Sequence, residues 1–426
     1  MKVIEYPERE NWDKIIQRPG FSLEHLEDIV KPVLAEVRQH GDRAIIELTE
    51  KFDKVKLSGL IVSDAEIKEA EGLVDQELKE AINIARQNIY RFHYAQLERM
   101  EPVETMTGVS CWRKSIAIQK VGLYIPGGSA PLFSTVLMLA IPANIAGCEE
   151  IVLCTPPDKN GKVHPAILYT ANLLGVTRII KAGGAQAIAG MAYGTASIPK
   201  TDKIFGPGNQ YVTVAKQLVN RQGTAIDMPA GPSEAAVLAD KSGNAVFIAS
   251  DLLSQAEHGT DSHLLFVTND KDLLKEVLAE VDKQVADLPR KEFALKTLSN
   301  SVCVLVNDIE EGMAVINAYA PEHLILQVSD VQRWADEVVN AGSVFMGNYT
   351  PEAAGDYASG TNHTLPTNGY ARMYSGVSVD SFVKKVTFQH IRPEGLRTIG
   401  PYIETMAENE GLRAHKNAVS LRLKSL

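Results

Sequence analysis

Gln255 and His258 stand three residues apart in the stretch Leu252 to Gly259, where an apolar run with helical periodicity comes to its end. On a helix that spacing brings an amide oxygen and an imidazole nitrogen to one face, so both can converge on one metal ion. Gly259 is expected to end the helix. A polar last turn would read the same way, so the two donors need others from elsewhere. Two later stretches carry suitable side chains: Pro321 to His323, which sets Glu322 beside His323, and Gly355 to His363, poor in aliphatic residues, which holds Asp356. Long loops rich in such residues more often carry function than connect elements.

A chain of 426 residues with 45% apolar composition can bury a large core, and its length suggests two or more domains. It has no apolar run of membrane-spanning length, and its start, Met1 to Glu10, has the charges of a folded terminus and lacks the apolar core of a signal peptide. A cytoplasmic protein is expected. The formal charge of -10 argues against general nucleic-acid binding, which needs a basic face. Cys111, Cys148, Cys154 and Cys303 form no Cys-x-x-Cys pair, which disfavours a zinc knuckle or a redox dithiol. Cys154 and Cys303 lie in strand-like runs and read as buried thiols; Cys111 and Cys148, near turns, are the candidates for a catalytic thiol.

The elements that must position these groups follow in chain order. Residues 1 to 19 read as a polar arm ending at Pro19 and Gly20, with Ser22 as an N-cap. Amphipathic helices are expected from Leu23 to Phe52, broken at Gly41, and from Ser63 to Arg99. His25, His40 and His93 on these helices, and His164, His263 and His390 beyond them, have no partner at ligand spacing and are read as structural. From Lys120 short β-branched runs alternate with helices, the pattern of a parallel sheet. The strands expected are Val121 to Ile125, Ile151 to Cys154, Arg178 to Lys181 and Lys203 to Phe205, each ending in glycine or proline. Helix N-termini and free N–H groups would gather at their carboxyl edge, where anions bind. The G-x-G-x-x-G fingerprint is absent, and tight turns would explain the glycines of Gly183 to Gly190 and Gly206 to Asn209 equally well. A second α/β series follows, with strands expected at Ala235 to Leu238, His263 to Val267, Cys303 to Val306 and Ser343 to Met346. From about Val379 the tail reads as mildly basic and partly helical.

Nearly end to end, the chain resembles the histidinol dehydrogenase family. The most specific stretches are Ile226 to Glu234, Leu253 to His258, Ala320 to His323, Ala354 to Asp356 and Glu410 to His415. The resemblance implies an α/β fold of two incomplete Rossmann-like domains, a small N-terminal arm and a C-terminal helical domain reaching across an intertwined homodimer. The corresponding divisions are residues 1–19 for the arm, 20–122 with 233–377 for a zinc-binding catalytic domain, 123–232 for an NAD-binding domain and 378–426 for dimerisation. The implied zinc ligands are Gln255, His258, Asp356 and His415, the last from the partner subunit. The implied substrate contacts are Ser233, His323, Glu410 and the zinc ligands, with Glu410 also crossing the interface; Tyr124, Gln186 and Asn209 would contact NAD. The implied reaction oxidises L-histidinol to L-histidinaldehyde and then to L-histidine, with His323 as base and Glu322 activating water. Adjacent strand residues point oppositely, so this pair is expected in an irregular loop or at a helix N-terminus. His363 is read as either a substrate contact or a support for Asp356. Two rivals stand beside this reading: a zinc hydrolase on the same ligands, and a non-catalytic nucleotide-binding oligomer.

Overall fold

The computed structural model describes residues 1–18, 23–127, 130–229 and 231–426, which leaves Ser22 and its expected capping role outside the described residues. Two parallel sheets form the frame. The first has five strands in the order Arg178–Lys181, Glu150–Thr155, Lys120–Tyr124, Lys203–Phe205 and Ala225–Ile226. The second has six, in the order Lys2–Glu5, Val302–Leu305, His263–Thr268, Glu234–Ala239, His323–Gln327 and Ser343–Met346. Every residue of Glu234–Ala239, His263–Thr268 and His323–Gln327 is buried, because helices cover both faces of a parallel sheet. That burial explains why Ala235 to Leu238 and His263 to Val267 read as strands without apolar–polar alternation.

The helical region breaks at Gly41 as expected, into Leu23–His40 and Asp42–Asp53. The next stretch divides once more, into Asp64–Leu73 and Gln76–Tyr94. A reciprocal capping box of Ser63 and Glu66 starts the first, and at the break Asp75 caps the second, its Oδ1 accepting from Leu78 N at 2.7 Å. The apolar faces of these helices share cores with the five-stranded sheet. Val30, Leu34 and Ile45 pack with Cys154, Ile188 and Val214, and Ile82 and Ile89 pack with Leu137 and Ile141. Residues within 26–89 therefore pack against the helices and strands of the five-stranded sheet.

Two expectations are corrected. The arm is not merely polar, because Lys2–Glu5 pairs in parallel with Val302–Leu305, and Trp12 and Ile16 enter the core of the six-stranded sheet. The C-terminal segment, expected to be partly helical, begins with a strand: Val383–Ile391 runs antiparallel to Val109–Ala117, with Val103–Met106 on the other side, before the helices Pro393–Asn409 and Arg413–Lys424. The helix carrying Gln255 is Ala245–Ala256 and stops before His258, which lies in the following turn. None of the described helices is long and apolar enough to cross a membrane.

Candidate active site

A cavity of about 870 Å³ lies between the two parallel sheets. One wall is the carboxyl edge of the five-stranded sheet, with Gly206, Asn209 and Lys216; the other is the amino edge of the six-stranded sheet, with Ser233, His258, Ser262 and Glu322.

His323 opens the strand His323–Gln327 and Glu322 immediately precedes it, so the pair sits at a strand's start rather than in an irregular loop or at a helix N-terminus. Alternation applies only inside the strand, which frees the Glu322 side chain to turn toward its neighbour. Ala320, at φ 53°, makes the bend that delivers it. Glu322 Oε2 lies 3.7 Å from His323 Nδ1. The backbone of Glu234 holds both: its N–H donates to Glu322 Oε2 at 2.9 Å, and its carbonyl accepts from His323 Nδ1–H at 3.0 Å. Because Nδ1 is the donor, Nε2 of a neutral ring is the acceptor. That atom is buried without a hydrogen-bond partner among the described residues, 3.5 Å from Glu352 Oε1 and 3.8 Å from Asp356 Oδ1.

Among the described residues, His323, Glu352 and Asp356 place one donor atom each within 4.8 Å of one another. Gln255 joins them from the helix end. Its Nε2 donates to Glu352 Oε1 at 2.5 Å, and Ser254 Oγ donates to Glu352 Oε2 at 2.8 Å. This fixes the amide so that Gln255 Oε1 is the second buried atom of the cluster with no partner. An unpaired buried acceptor costs about 1–3 kcal/mol, which coordination to a cation would offset. Gln255 Oε1 and Asp356, with the His258 imidazole near enough to feel the Asp356 charge, offer amide oxygen, carboxylate and imidazole, donors that zinc accepts, so the residues present fit the ion.

Burial and charge crowding shift the ionisable groups of the cluster. Burial pushes Glu322 up to about 8 and Glu352 up to about 7. Burial alone would lower His323, but Glu322, Asp356 and Glu352 push it up to about 10. Burial would raise Asp356, yet the neighbouring His323 holds it below the usual carboxylate range. A cation held there would compete with the imidazolium for the same carboxylates and lower His323.

On the opposite wall, Gly206 follows the strand Lys203–Phe205 with φ 125°, and a Cβ there would lie 2.0 Å from the Tyr124 carbonyl oxygen. A buried Lys216–Asp227 ion pair clamps this turn: Lys216 Nζ donates to Gly206 O at 2.9 Å and Gly206 N donates to Asp227 Oδ2 at 2.8 Å. Asn209 Oδ1 caps the helix Gln210–Asn220, accepting from Tyr211 N and Val212 N at 3.1 Å. Tyr124 and Gln186 are buried at the same edge, and the Tyr124 hydroxyl accepts from Gly184 N at 3.1 Å. Of the three residues expected to contact NAD, Asn209 alone lines the described cavity.

The structure thus brings Gln255, Asp356, Glu322 and His323 together, with His258 and Ser233 on the adjoining cavity wall. His363 also lines it. With Nδ1 3.0 Å from the Asp356 carbonyl oxygen and Nε2 3.1 Å from Thr135 Oγ1, His363 braces the helix Glu352–Tyr357. Within one chain Glu410 and His415 are exposed and line no part of the cavity. Neither Cys111 nor Cys148 lines it, and burial pushes the Cys148 thiol up to about 11. The remaining histidines have structural surroundings where the structure gives them partners: His93 Nδ1 meets Ile89 O, His164 Nδ1 accepts from Ala166 N, and His263 Nδ1 meets the Tyr319 hydroxyl. Sequence reasoning missed Glu352, although Glu352 and Asp356 stand four apart on one helix, a spacing that sets two carboxylates on one face. Glu234 gave no such signal.

The sequence profile of a family described as histidinol dehydrogenase matches residues 16–423. The chain belongs to the histidinol dehydrogenase family. It is 61% identical to the histidinol dehydrogenase of Bacteroides thetaiotaomicron over 426 residues, all of both chains. It is 54% identical to the chloroplastic histidinol dehydrogenase of Arabidopsis thaliana over 417 residues, 97% of this chain and 89% of the relative. The crystal structure of histidinol dehydrogenase from Elizabethkingia anophelis superposes with a TM-score of 0.98 at 54% identity, covering 100% of this chain and 98% of that one.

Proposed function

We propose that this member of the family oxidises L-histidinol to L-histidine through L-histidinaldehyde, a four-electron, NAD-dependent and zinc-containing reaction that ends histidine biosynthesis, in the cytoplasm. The observation that carries the reading is the pair of buried acceptors without a partner among the described residues, Gln255 Oε1 for the metal and His323 Nε2 for the proton, beside Asp356 and next to a cavity whose far wall is the carboxyl edge of a Rossmann-like sheet.

Gln255, His258 and Asp356 would hold the zinc, with His415 contributed by a second copy of the chain in a homodimer. Bound zinc supplies an electrophilic anchor for an imidazole and an amine, and bound NAD accepts hydride. Ser233, and Glu410 from the second copy, would complete the contacts to histidinol. Tyr124, Gln186 and Asn209 would meet NAD, Asn209 through the NH2 group that its capping role leaves to donate. His323 is anchored at Nδ1 on the Glu234 carbonyl, so Nε2 takes the alcohol proton and later the hydrate proton. Glu322, pushed up to about 8, changes charge near neutral pH and suits the water that adds to the aldehyde.

The test is purified protein with zinc, histidinol and NAD. Histidine and NADH in the ratio of a four-electron oxidation are expected. Hydrolytic turnover without NADH would replace this reading with a zinc hydrolase. Intact zinc and NAD binding with no turnover would leave a non-catalytic nucleotide binder.

A further inference from the structure

The N-terminal arm ends in a side chain that none of the chemistry above uses. Arg18 lies over the Tyr319 ring, 3.9 Å from its centroid, with its side chain 13% exposed. Its Nη2 donates to Glu234 Oε2 at 2.7 Å and to the Tyr319 carbonyl at 2.9 Å, and its Nε donates to Glu234 Oε1. Asn368 N donates to the same Oε1 at 2.8 Å. The Glu234 carboxylate is therefore gripped on both oxygens by the rigid fork of a guanidinium, a geometry that lysine cannot reproduce.

What Glu234 does with its backbone gives this grip its meaning. One residue orients both members of the pair, its N–H holding Glu322 and its carbonyl holding His323. Glu234 is also the first residue of its strand, paired in register with His263. Arg18 is brought to it by an arm fastened twice, through Lys2–Glu5 in the sheet and through Trp12 and Ile16 in the core.

We propose that Arg18 is a positioning residue for the oxidation: by fixing Glu234 through the bidentate ion pair, the arm sets the orientation of Glu322 and His323. This rests on the reading of those two as reacting groups. An orientation error of about 1 Å costs up to about a hundredfold in rate without a matching loss of binding.

The experiment measures kcat and KM for Arg18→Lys and Arg18→Ala, each alone and combined with Glu322→Gln, together with zinc content. Arg18→Ala is expected to lower kcat by roughly thirtyfold to a hundredfold. KM for histidinol and for NAD should stay within about threefold, and zinc content should be native. Guanidinium ion at non-denaturing concentration should restore part of the turnover of Arg18→Ala. In the Glu322→Gln background the added loss should shrink, because two changes that act through one group are not additive. Should Arg18→Ala fail to fold, Arg18→Lys and the paired change Arg18→Met with Glu234→Gln, which removes both buried charges, serve in its place; both are expected to lower kcat. Native kcat in the folded variants, or a rise in KM alone, overturns the proposal. If Glu322→Gln and His323→Asn themselves turn over normally, the reading of the pair fails first; if they are impaired while the Arg18 variants are native, only the role of the arm fails.

Discussion

The two parallel sheets share a strand order and use opposite edges. With the arm strand set aside, each runs third, second, first, fourth, fifth in chain order: Arg178, Glu150, Lys120, Lys203 and Ala225 begin the strands of one, and Val302, His263, Glu234, His323 and Ser343 those of the other. Each therefore switches direction between its first and fourth strands, the place where open α/β sheets bind ligands at their carboxyl ends. The five-stranded sheet opens there, at Gly206 to Asn209, onto the cavity. The six-stranded sheet is closed there by its own side chains. Asp240 Oδ1 accepts from Ser242 N and Oδ2 from Ser329 N, both at 2.8 Å, while Gln327 Oε1 accepts from Asn244 N at 3.0 Å. N–H groups that could cradle an anion already have a carboxylate. The candidate site on this sheet lies at its amino edge instead, where the helix Ala245–Ala256 ends beside Gln255. Helix N-termini gather at one edge and C-termini at the other, so backbone polarity favours an anion on the first wall of the cavity and a cation on the second.

The strongest way to break this comparison is to disable the amino edge alone. His323→Asn should lower both oxidation steps by roughly a hundred to ten thousand-fold, and Glu322→Gln should slow aldehyde oxidation more than alcohol oxidation. Stopped-flow recording of NADH from histidinol and from the aldehyde separates the two; equal loss of both steps in Glu322→Gln would remove its role with water. His258→Ala and Asp356→Ala should each lose zinc while NAD binding persists, and full zinc stoichiometry in purified Asp356→Ala would defeat the ligand assignment.

The converse change is Gly206→Ala on the other wall. A Cβ pressed on the Tyr124 carbonyl at φ 125° should weaken NAD binding and lower stability by at least about 1–3 kcal/mol, with zinc retained. Calorimetric titration with NAD and metal analysis of one preparation would show whether the walls are separable. Loss of zinc together with NAD would mean that they are not.

A pH titration sharpens the contrast further. Burial, with Arg18 nearby, pushes His263 down to about 4, below its ordinary 6.5. Between those values the unfolded chain binds the proton and the folded chain does not, so stability is complete above pH 6.5 and falls as pH drops through 4. The loss amounts to about 3 kcal/mol at most, and His263→Gln should flatten this part of the denaturation profile. An unchanged slope would place the acid sensitivity elsewhere.

The smallest effect is expected at the closed edge. Asp240→Asn weakens charge-assisted hydrogen bonds to Ser242 and Ser329 and should cost about 2 kcal/mol in urea unfolding, with native turnover. A fall in turnover would show that this edge also serves the reaction.

Much of this architecture was legible in the sequence. Apolar runs ending in glycine or proline located the five-stranded sheet's main strands, and Gly41 marked a helix break, because burial and backbone freedom are local demands. With roles that only the family resemblance supplied, Gln255 and His258 stood out by their spacing, and Asp356 and the Glu322–His323 pair by the loops that carry them. The strand His323–Gln327 did not, because its first residue is a buried imidazole whose partner is the carbonyl of Glu234. The antiparallel pairing of Val109–Ala117 with Val383–Ile391 was equally hidden, since only a segment far along the chain sets its register. Glu352 and Arg18 looked like ordinary charged residues. Their roles arise only when folding withdraws their partners from water: a carboxylate or guanidinium in solvent needs no particular neighbour, whereas a buried one must be matched in charge and geometry by groups that sequence distance does not reveal.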